Sequence, residues 1–534
     1  MRPLAVSILL SLLPASCNNG ISSNQPIPGE ILQIFEKPIY QDAIWGLRVV
    51  DLDTGQILYD LRPDYDFLIG SVRKLFSVGL TINELGADHR FRTPVHRGGD
   101  VDGAGVLHGD LILVASGDLT MGGRTNPDGS IAITDFDHNE ANSLGNAELT
   151  APDPLSGYHS LAQQVAASGI THIDGDVIID DRLFVPFNFR GEFDVRPIFV
   201  NDDVVDVVIN PTTPGALASV SWRPMSAAFR VASSLVTAPA GEDEEVELDP
   251  ELPGCIGLEG CAGTVAGRLP VDFAPPHTNQ FPLVQTFRIV EPANYARTIF
   301  IEALEEAGVT VSASLVGPNP VDKLPPANSY TPDTLVAELV SLPYSDFAKL
   351  ILKVSYNIGA DTSLVLFGLT QGADNLDDAL AVERQVLTTN FGIDMEDFFF
   401  VDGSGGGFTT ATNVAVSRML AEISQRPSFS AYRDALPVLG VDGSLAFVTD
   451  FEADPTLAGA KGKVRAKTGT FIEGTETGLN FRAQALAGYI AAKSGRRLAF
   501  TMAVNDVGPL TSIDEVLEVF QDQGKISAIV WRDN

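Results

Sequence analysis

Ser71-Val72-Arg73-Lys74 opens a stretch whose apolar residues Leu75, Phe76, Val78, Leu80 and Ile82 predict a buried helix running to Leu85, and the chemistry at its start decides the fold. A hydroxyl at a helix start and an amine one turn later stand on the same face, within hydrogen-bond reach. The helix N-terminus favours a developing alkoxide and disfavours an ammonium, so the amine is driven toward the neutral form that can take a serine proton. A serine hydrolase also needs an oxyanion hole, and its familiar base is histidine. Here all seven histidines fall between His89 and His277, and none adjoins the stretches that carry the remaining chemistry. Lysine is scarce too: ten in the chain, none between Lys74 and Lys323.

Two later stretches complete a constellation. Ser355-Tyr356-Asn357 lies between two predicted helices, the first with Ser345 as its expected cap and Phe347, Leu350, Ile351 and Val354 as its apolar face. It offers a hydroxyl to relay a proton to a leaving amine and an amide to hold a substrate. Lys467-Thr468-Gly469-Thr470 follows Val464-Arg465-Ala466 on a predicted strand. Lys467 is the expected second cation that depresses Lys74, and with Thr468 it can hold a carboxylate. The Thr470 amide is expected to face the oxyanion beside the Ser71 amide, and Gly469 to let a substrate backbone lie along the strand edge. Taken singly the triads are weak, since roughly 0.7 Ser-x-x-Lys is expected by chance with ten lysines, although Lys-Thr-Gly is expected fewer than about 0.1 times. The order of the set, each on a suitable element, is what points to one site.

Working outward, Leu47 to Leu52 and Ile57 to Tyr59 read as a hairpin about Asp53-Thr54-Gly55. Ala483 to Ala492 and Leu498 to Val504 read as strands, and Ser512-Ile513-Asp514-Glu515 as a capping box opening a last helix through Phe520. Glycines and aspartates at Gly98 to Gly105, and prolines between Gly317 and Asp333, mark boundaries. The expected organisation is a signal peptide at 1–17, a linker at 18–30, one domain built from 31–97 and 334–534, and an inserted region at 98–333 with two strand-rich subdomains.

The 534 residues carry 35 Lys and Arg against 69 Asp and Glu, a formal net charge of −34. Without a basic field the chain is no nucleic-acid binder, and 45% hydrophobic residues make it globular rather than disordered. Glu242 to Glu251, seven carboxylates in ten residues, reads as a solvated loop. Asp135, Asp137 and Asn139 resemble the start of a calcium loop, but Glu140 and Asn146 stand where glycine and glutamate belong, so no metal is expected there or elsewhere. Arg2, the apolar run Leu4 to Leu13 and Pro14-Ala15-Ser16-Cys17 form a secretory pattern too short to span a bilayer. Lipidation of Cys17 and ordinary signal cleavage both fit. Cys255 and Cys261 then remain as a pair, either bridged or as two buried thiols.

With these motifs in hand, the sequence resembles the class C low-molecular-weight penicillin-binding proteins. The likeness extends through Gly109 to Val114, Ile173 to Val177, Asp402-Gly403-Ser404-Gly405, Leu436 to Gly443 and Arg465 to Thr470, and departs at Tyr356 and at a longer, more polar Thr120 to Pro154. The resemblance implies an α/β (α+β) fold of the serine β-lactamase/D,D-peptidase type, an antiparallel sheet with a helical lobe. It implies that Ser71, Lys74 and Ser355 are catalytic and that Asn357, Lys467, Thr468, Gly469 and Thr470 bind substrate. It implies hydrolysis of terminal D-Ala-D-Ala bonds, and of D-Ala cross-links, in peptidoglycan stem peptides, acylation by β-lactams and no cofactor. The N-terminal secretory pattern sets the expectation of a place in the periplasm or cell envelope, with a lipid on Cys17 as the one membrane link if that cysteine is lipidated. A β-lactamase or esterase using the same site and a non-catalytic wall-binding protein are the alternatives.

Overall fold

The computed structural model describes residues 25–534 except Thr477; the signal-peptide and Cys17 expectations lie outside the described residues. Two strands from the front of the chain, β1 (Ile44–Asp51) and β2 (Ile57–Leu61), join three from the back, β3 (Val464–Thr475), β4 (Gly478–Ala491) and β5 (Arg497–Pro509). They form one antiparallel sheet in the order β2-β1-β5-β4-β3. Side chains along β5 alternate between two cores, as a strand buried on both faces requires. Leu498, Phe500, Met502 and Val504 face the long last helix, Ile513–Asp533, and the helix Gly29–Phe35. Ala499 and Ala503 face the other way, with Ala485 and Ala487 of β4, toward a helical lobe. Small side chains on that face let the lobe come close.

The centre of the lobe is α1 (Lys74–Leu85), whose residues from Lys74 to Ile82 are all buried. Helices α2 (Tyr344–Lys353) and α3 (Asn357–Thr370) pack against it within the same core. The α1 polar side chains Lys74, Ser77 and Thr81 are buried as well and hydrogen-bonded inside the protein, so the helix has no solvent-facing polar side over these residues. Ser345 does not cap α2: the helix starts one residue earlier, after Pro343 in extended conformation. Ser512 makes no side-chain cap either; Glu515 instead accepts from the Thr511 amide and hydroxyl, and the helix runs past Phe520 to Asp533.

Residues 98–333 are held by paired strands at both ends. Strands Arg90–Arg97 and Leu335–Pro343, which flank them, pair antiparallel with each other, and the sheet continues through Leu111–Val114 to Val177–Asp180. Beyond it lie a three-stranded sheet (Ser219–Arg223, Val204–Asn210, Leu283–Arg288) and a mixed four-stranded sheet that includes Glu245–Asp249 and Ala262–Pro270. Glu245, Glu247 and Asp249 of the acidic run point to solvent from the former strand. Cys255 and Cys261 are joined by a disulfide. Asp135, Asp137 and Asn139 do not converge as a calcium loop would: Asp135 accepts from the Gly443 amide, Asp137 pairs with Arg124, and Asn139 donates to Asp137 and Asp202. Among the described residues no helix is long and apolar enough to cross a membrane.

Candidate active site

Ser71 stands in a 3-10 turn, Gly70–Arg73, that leads directly into α1. Two glycines let this turn lie on β3. Gly70 has φ +46°, and a side chain there would sit 2.9 Å from the Thr470 backbone. A Cβ at Gly469 would come within 2.0 Å of the Ile69 carbonyl oxygen and 3.0 Å of the Ser71 nitrogen. Gly469 is therefore required by the approach of the serine turn itself, a tighter reason than the room for a substrate backbone expected from sequence.

The Lys74 amine is fully buried and lies 2.6 Å from Ser71 Oγ, 2.6 Å from Asn357 Oδ1, 3.0 Å from the Ser404 carbonyl oxygen and 3.3 Å from Ser355 Oγ. Among the described residues no carboxylate comes within ion-pair distance of it. Burial pulls its pKa down from 10.5 to about 7, and the nearby Arg190 guanidinium pulls the same way, while Glu140, Asp361 and Asp402 oppose. The leading cation is thus Arg190, from the inserted region, and not Lys467. Ser355 joins α2 to α3 in the left-handed region, φ +68°, where a residue with a side chain is strained. Lys467 is also fully buried, pushed well below its ordinary pKa by burial and then by Lys74, and donates to the Thr468 carbonyl oxygen at 2.9 Å. Thr468 Oγ1 lies 2.9 Å from Ser444 Oγ, and the Thr470 hydroxyl donates to Gln484 at 2.7 Å. All three triads therefore meet at one seam between sheet and lobe. Just before Lys467 in the chain, Lys461 pairs with Glu452 at 3.0 Å and Arg465 lies 4.0 Å from Asp434.

Several supports lie outside the three triads. The Asp402 carboxylate accepts from the amides of Ser404, Gly405 and Gly406, shaping the turn whose Ser404 carbonyl receives Lys74. Asp361 accepts from the Gly403 amide, and burial and then Asp402 raise its pKa to about 8. Arg73, inside the first motif, is fully buried, forms an ion pair with Glu383 at 2.5 Å and donates to the Asp402 carbonyl at 2.8 Å. Residues 98–333 supply Arg190, which donates to Ser404 Oγ at 3.0 Å, and Glu140, which accepts from Asn357 Nδ2 at 2.7 Å. Beside Asn357 a cavity of about 300 Å³ opens between Glu140, Arg190, Glu251, Arg288 and Tyr356.

Asp137, His138 and Asp202 lie close enough together to surround a cation. The charge is already supplied: Arg124 donates to both Asp137 oxygens at 2.7 and 2.8 Å and to Asp202 at 2.7 Å. Burial alone would raise both carboxyls, but Arg124 holds them below the usual carboxylate range.

A five-stranded antiparallel sheet with a helical lobe, and a Ser-x-x-Lys turn at their seam, is the architecture of the serine D,D-peptidases and β-lactamases. The chain belongs to the D-Ala-D-Ala carboxypeptidase 3 (S13) family, matching it over residues 29–521. It is 27% identical to a D-alanyl-D-alanine carboxypeptidase of Actinomadura sp. (strain R39) over 94% of this chain and 85% of that protein. It is 29% identical to carboxypeptidase DacB of Mycolicibacterium smegmatis over 41% of this chain and 46% of that one. Penicillin binding protein 4 of Haemophilus influenzae shares the fold, with a TM-score of 0.67 at 18% identity, over 92% of this chain and 98% of that one. The chain is thus a serine-type peptidase of D-alanyl-D-alanine termini, acting on peptidoglycan outside the cytoplasm.

Proposed function

We propose that Ser71 is the nucleophile of this carboxypeptidase and Lys74 its base. The observation that carries the reading is a fully buried amine 2.6 Å from the Ser71 hydroxyl, free of a carboxylate partner among the described residues and depressed to about 7. Ser71 Oγ attacks the carbonyl between the two D-alanines as its proton passes to Lys74. Ser355 relays that proton to the departing amine as the C–N bond breaks, leaving an ester on Ser71. Water then attacks the ester, Lys74 takes the water's proton, and Ser71 leaves with a proton restored to it. Asn357 holds the acyl side, and Lys467, Thr468 and Thr470 hold the terminal carboxylate and the oxyanion, with Gly469 keeping the strand close.

The same site accepts a D-alanyl cross-link when the leaving amine belongs to a second stem peptide, so endopeptidase action belongs to this reading. A strained β-lactam amide would acylate Ser71 and leave slowly. Residues 31–97 and 334–534 act as the catalytic body, and 98–333 as an inserted partner that finishes its cleft. The leader at 1–17 would send the chain to the periplasm, and Cys17 would carry a lipid. Support for export is the tripartite leader together with a substrate that lies outside the cytoplasm.

Labelled penicillin tests the centre of the reading. Wild type is expected to retain a covalent label that Ser71→Ala lacks, and release of D-alanine from a D-Ala-D-Ala peptide to vanish in Lys74→Ala. An unlabelled wild type would refute the assignment. Cys17→Ala is expected to move the protein from membrane to soluble fraction; a wild type already soluble would rule out the anchor.

A further inference from the structure

The polar stretch Thr120 to Pro154 is longer than the family resemblance leads one to expect, yet it is not a loose surface loop. Three consecutive side chains in it are pinned inside the protein. Asp137 receives Arg124, the His138 ring lies 2.7 Å from Asp206, and Asn139 donates to Asp137 at 2.8 Å and Asp202 at 3.1 Å. Asn142, just beyond, accepts from the Thr286 amide at 2.8 Å and donates to its carbonyl at 2.9 Å. The buried charges that make this segment polar therefore fix one residue between them, Glu140, whose carboxylate accepts from Asn357 Nδ2 at 2.7 Å.

That contact bears on Lys74. A neutral amine has two N–H groups and one lone pair, and it can act as base only with the lone pair facing the Ser71 hydroxyl. The Asn357 carboxamide oxygen at 2.6 Å and the Ser404 carbonyl at 3.0 Å are acceptors without a proton to give, so they take the two N–H groups and leave the lone pair to Ser71. This works only while Asn357 turns its oxygen toward Lys74. A carboxamide can flip, and its orientation is set by what stands on its other side. Burial raises the Glu140 pKa while the charges of Lys74, Arg288 and Arg190 oppose that rise; in its ionised form the carboxylate accepts and cannot donate, so Glu140 holds the NH₂ group toward itself and the oxygen toward the lysine.

We propose that Glu140 is a positioning residue of the active site, supplied by the inserted region, which locks the Asn357 carboxamide and through it orients the Lys74 amine toward Ser71. The inference rests on the Ser71/Lys74 reading above and goes beyond it. Glu140 faces Lys74, Arg288, Arg190 and Asp137, and Lys74 in turn faces Arg190, Glu140, Asp361 and Asp402. Because the Glu140 carboxylate favours the lysine ammonium, replacing it with a neutral group moves the pH at which Lys74 becomes a base downward, while the lost orientation slows the base at every pH.

The test is the second-order rate of acylation by a labelled penicillin, measured across pH on the full chain. Misplaced catalytic groups cost on the order of 10²-fold, and Glu140→Gln, isosteric but able to pair with either end of the carboxamide, is expected to lose about tenfold or more. Its ascending pH limb is expected to lie acidward of wild type. Glu140→Asp, which keeps an acceptor-only group, is expected to recover part of the loss, and it serves in place of the glutamine variant should that one fail to fold. On the alkaline plateau, where Lys74 is already neutral, Glu140→Gln in an Asn357→Ala background is expected to change the rate by less than about twofold, because residues that act through one another do not add. A wild-type rate and limb in Glu140→Gln, or an equal loss with and without Asn357, would overturn the proposal. Wild type that takes no label at all would instead defeat the underlying Ser71 assignment.

Discussion

Gly469→Ala is the smallest perturbation that separates two accounts of the Lys-Thr-Gly strand. The added carbon would lie 2.0 Å from the Ile69 carbonyl oxygen, 2.8 Å from the Val72 nitrogen and 3.0 Å from the Ser71 nitrogen. All three are backbone atoms, so no side chain can rotate out of the way. Reaching even 3.0 Å from the carbonyl requires a retreat of about 1 Å. β3 is tied to β4 along its full length, from Val464 to Thr475, so the Gly70–Arg73 turn is the part that yields, and it carries Ser71. A displacement of about 1 Å between reacting groups costs roughly 10²-fold, or about 2.7 kcal/mol in the barrier. Acylation by a labelled penicillin and D-alanine release are both expected to fall by that order, with kcat bearing most of the loss. The thermal midpoint establishes that the variant is folded. Were Gly469 needed only to admit a substrate backbone, KM would rise and kcat would stay. A folded Gly469→Ala that acylates within about twofold of wild type would refute the reasoning from close approach.

With the folded Lys74 near 7, the wild-type acylation rate is expected to climb through a midpoint within a unit of that pH, read from a pH profile, and to fall as the amine protonates below it. Between about pH 7 and 10.5 the unfolded lysine, at 10.5, holds a proton that the folded one has lost, so this group makes the protein more stable as pH rises through that window. Glu383→Ala leaves the fully buried Arg73 without its counter-charge and is expected to cost about 3–5 kcal/mol of unfolding free energy in a denaturant titration. Ser444→Ala removes the hydroxyl beside Thr468 and is expected to raise KM about fivefold for peptides with a free terminal carboxylate, leaving kcat and peptides ending in a carboxamide little changed; this matches one lost hydrogen bond of about 1 kcal/mol.

The parts of this site that were legible in the sequence are those whose chemistry has a short spacing. Ser71 and Lys74 must be one helical turn apart, and Lys467 to Thr470 must alternate along one strand, so the residues announce the geometry. The alternation of β4 and β5 was visible for the same reason, because a strand between two cores writes a period of two. What supports the motifs was not visible, since its partners are distant in the chain: Arg73 meets Glu383, and Lys74 meets the Ser404 carbonyl. Arg190 carries no local signal, and its proximity to Lys74 depends on the fold of the inserted region. Ser345, expected as a cap, lies inside the helix because extended Pro343 stands at the N-cap and the helix begins at Tyr344. The polarity of Thr120 to Pro154 reads as exposure until its aspartates are seen paired with Arg124 in the interior.

The order of strands across the five-stranded sheet has a consequence for biosynthesis. β1 and β2 are made within the first 61 residues, whereas β5, which lies between them and the rest of the sheet, ends at Pro509. Ser71 and Lys74 therefore emerge well before Lys467 and Thr470, the residues proposed to hold the carboxylate and the oxyanion. Meanwhile the inserted region can fold on its own sheets, and its closing pair of strands, Arg90–Arg97 with Leu335–Pro343, draws the two flanks toward each other. A chain cut short between Lys74 and β5 carries Ser71 and Lys74 but lacks the strand that joins the two halves of the sheet, so it is expected to have no peptidase activity.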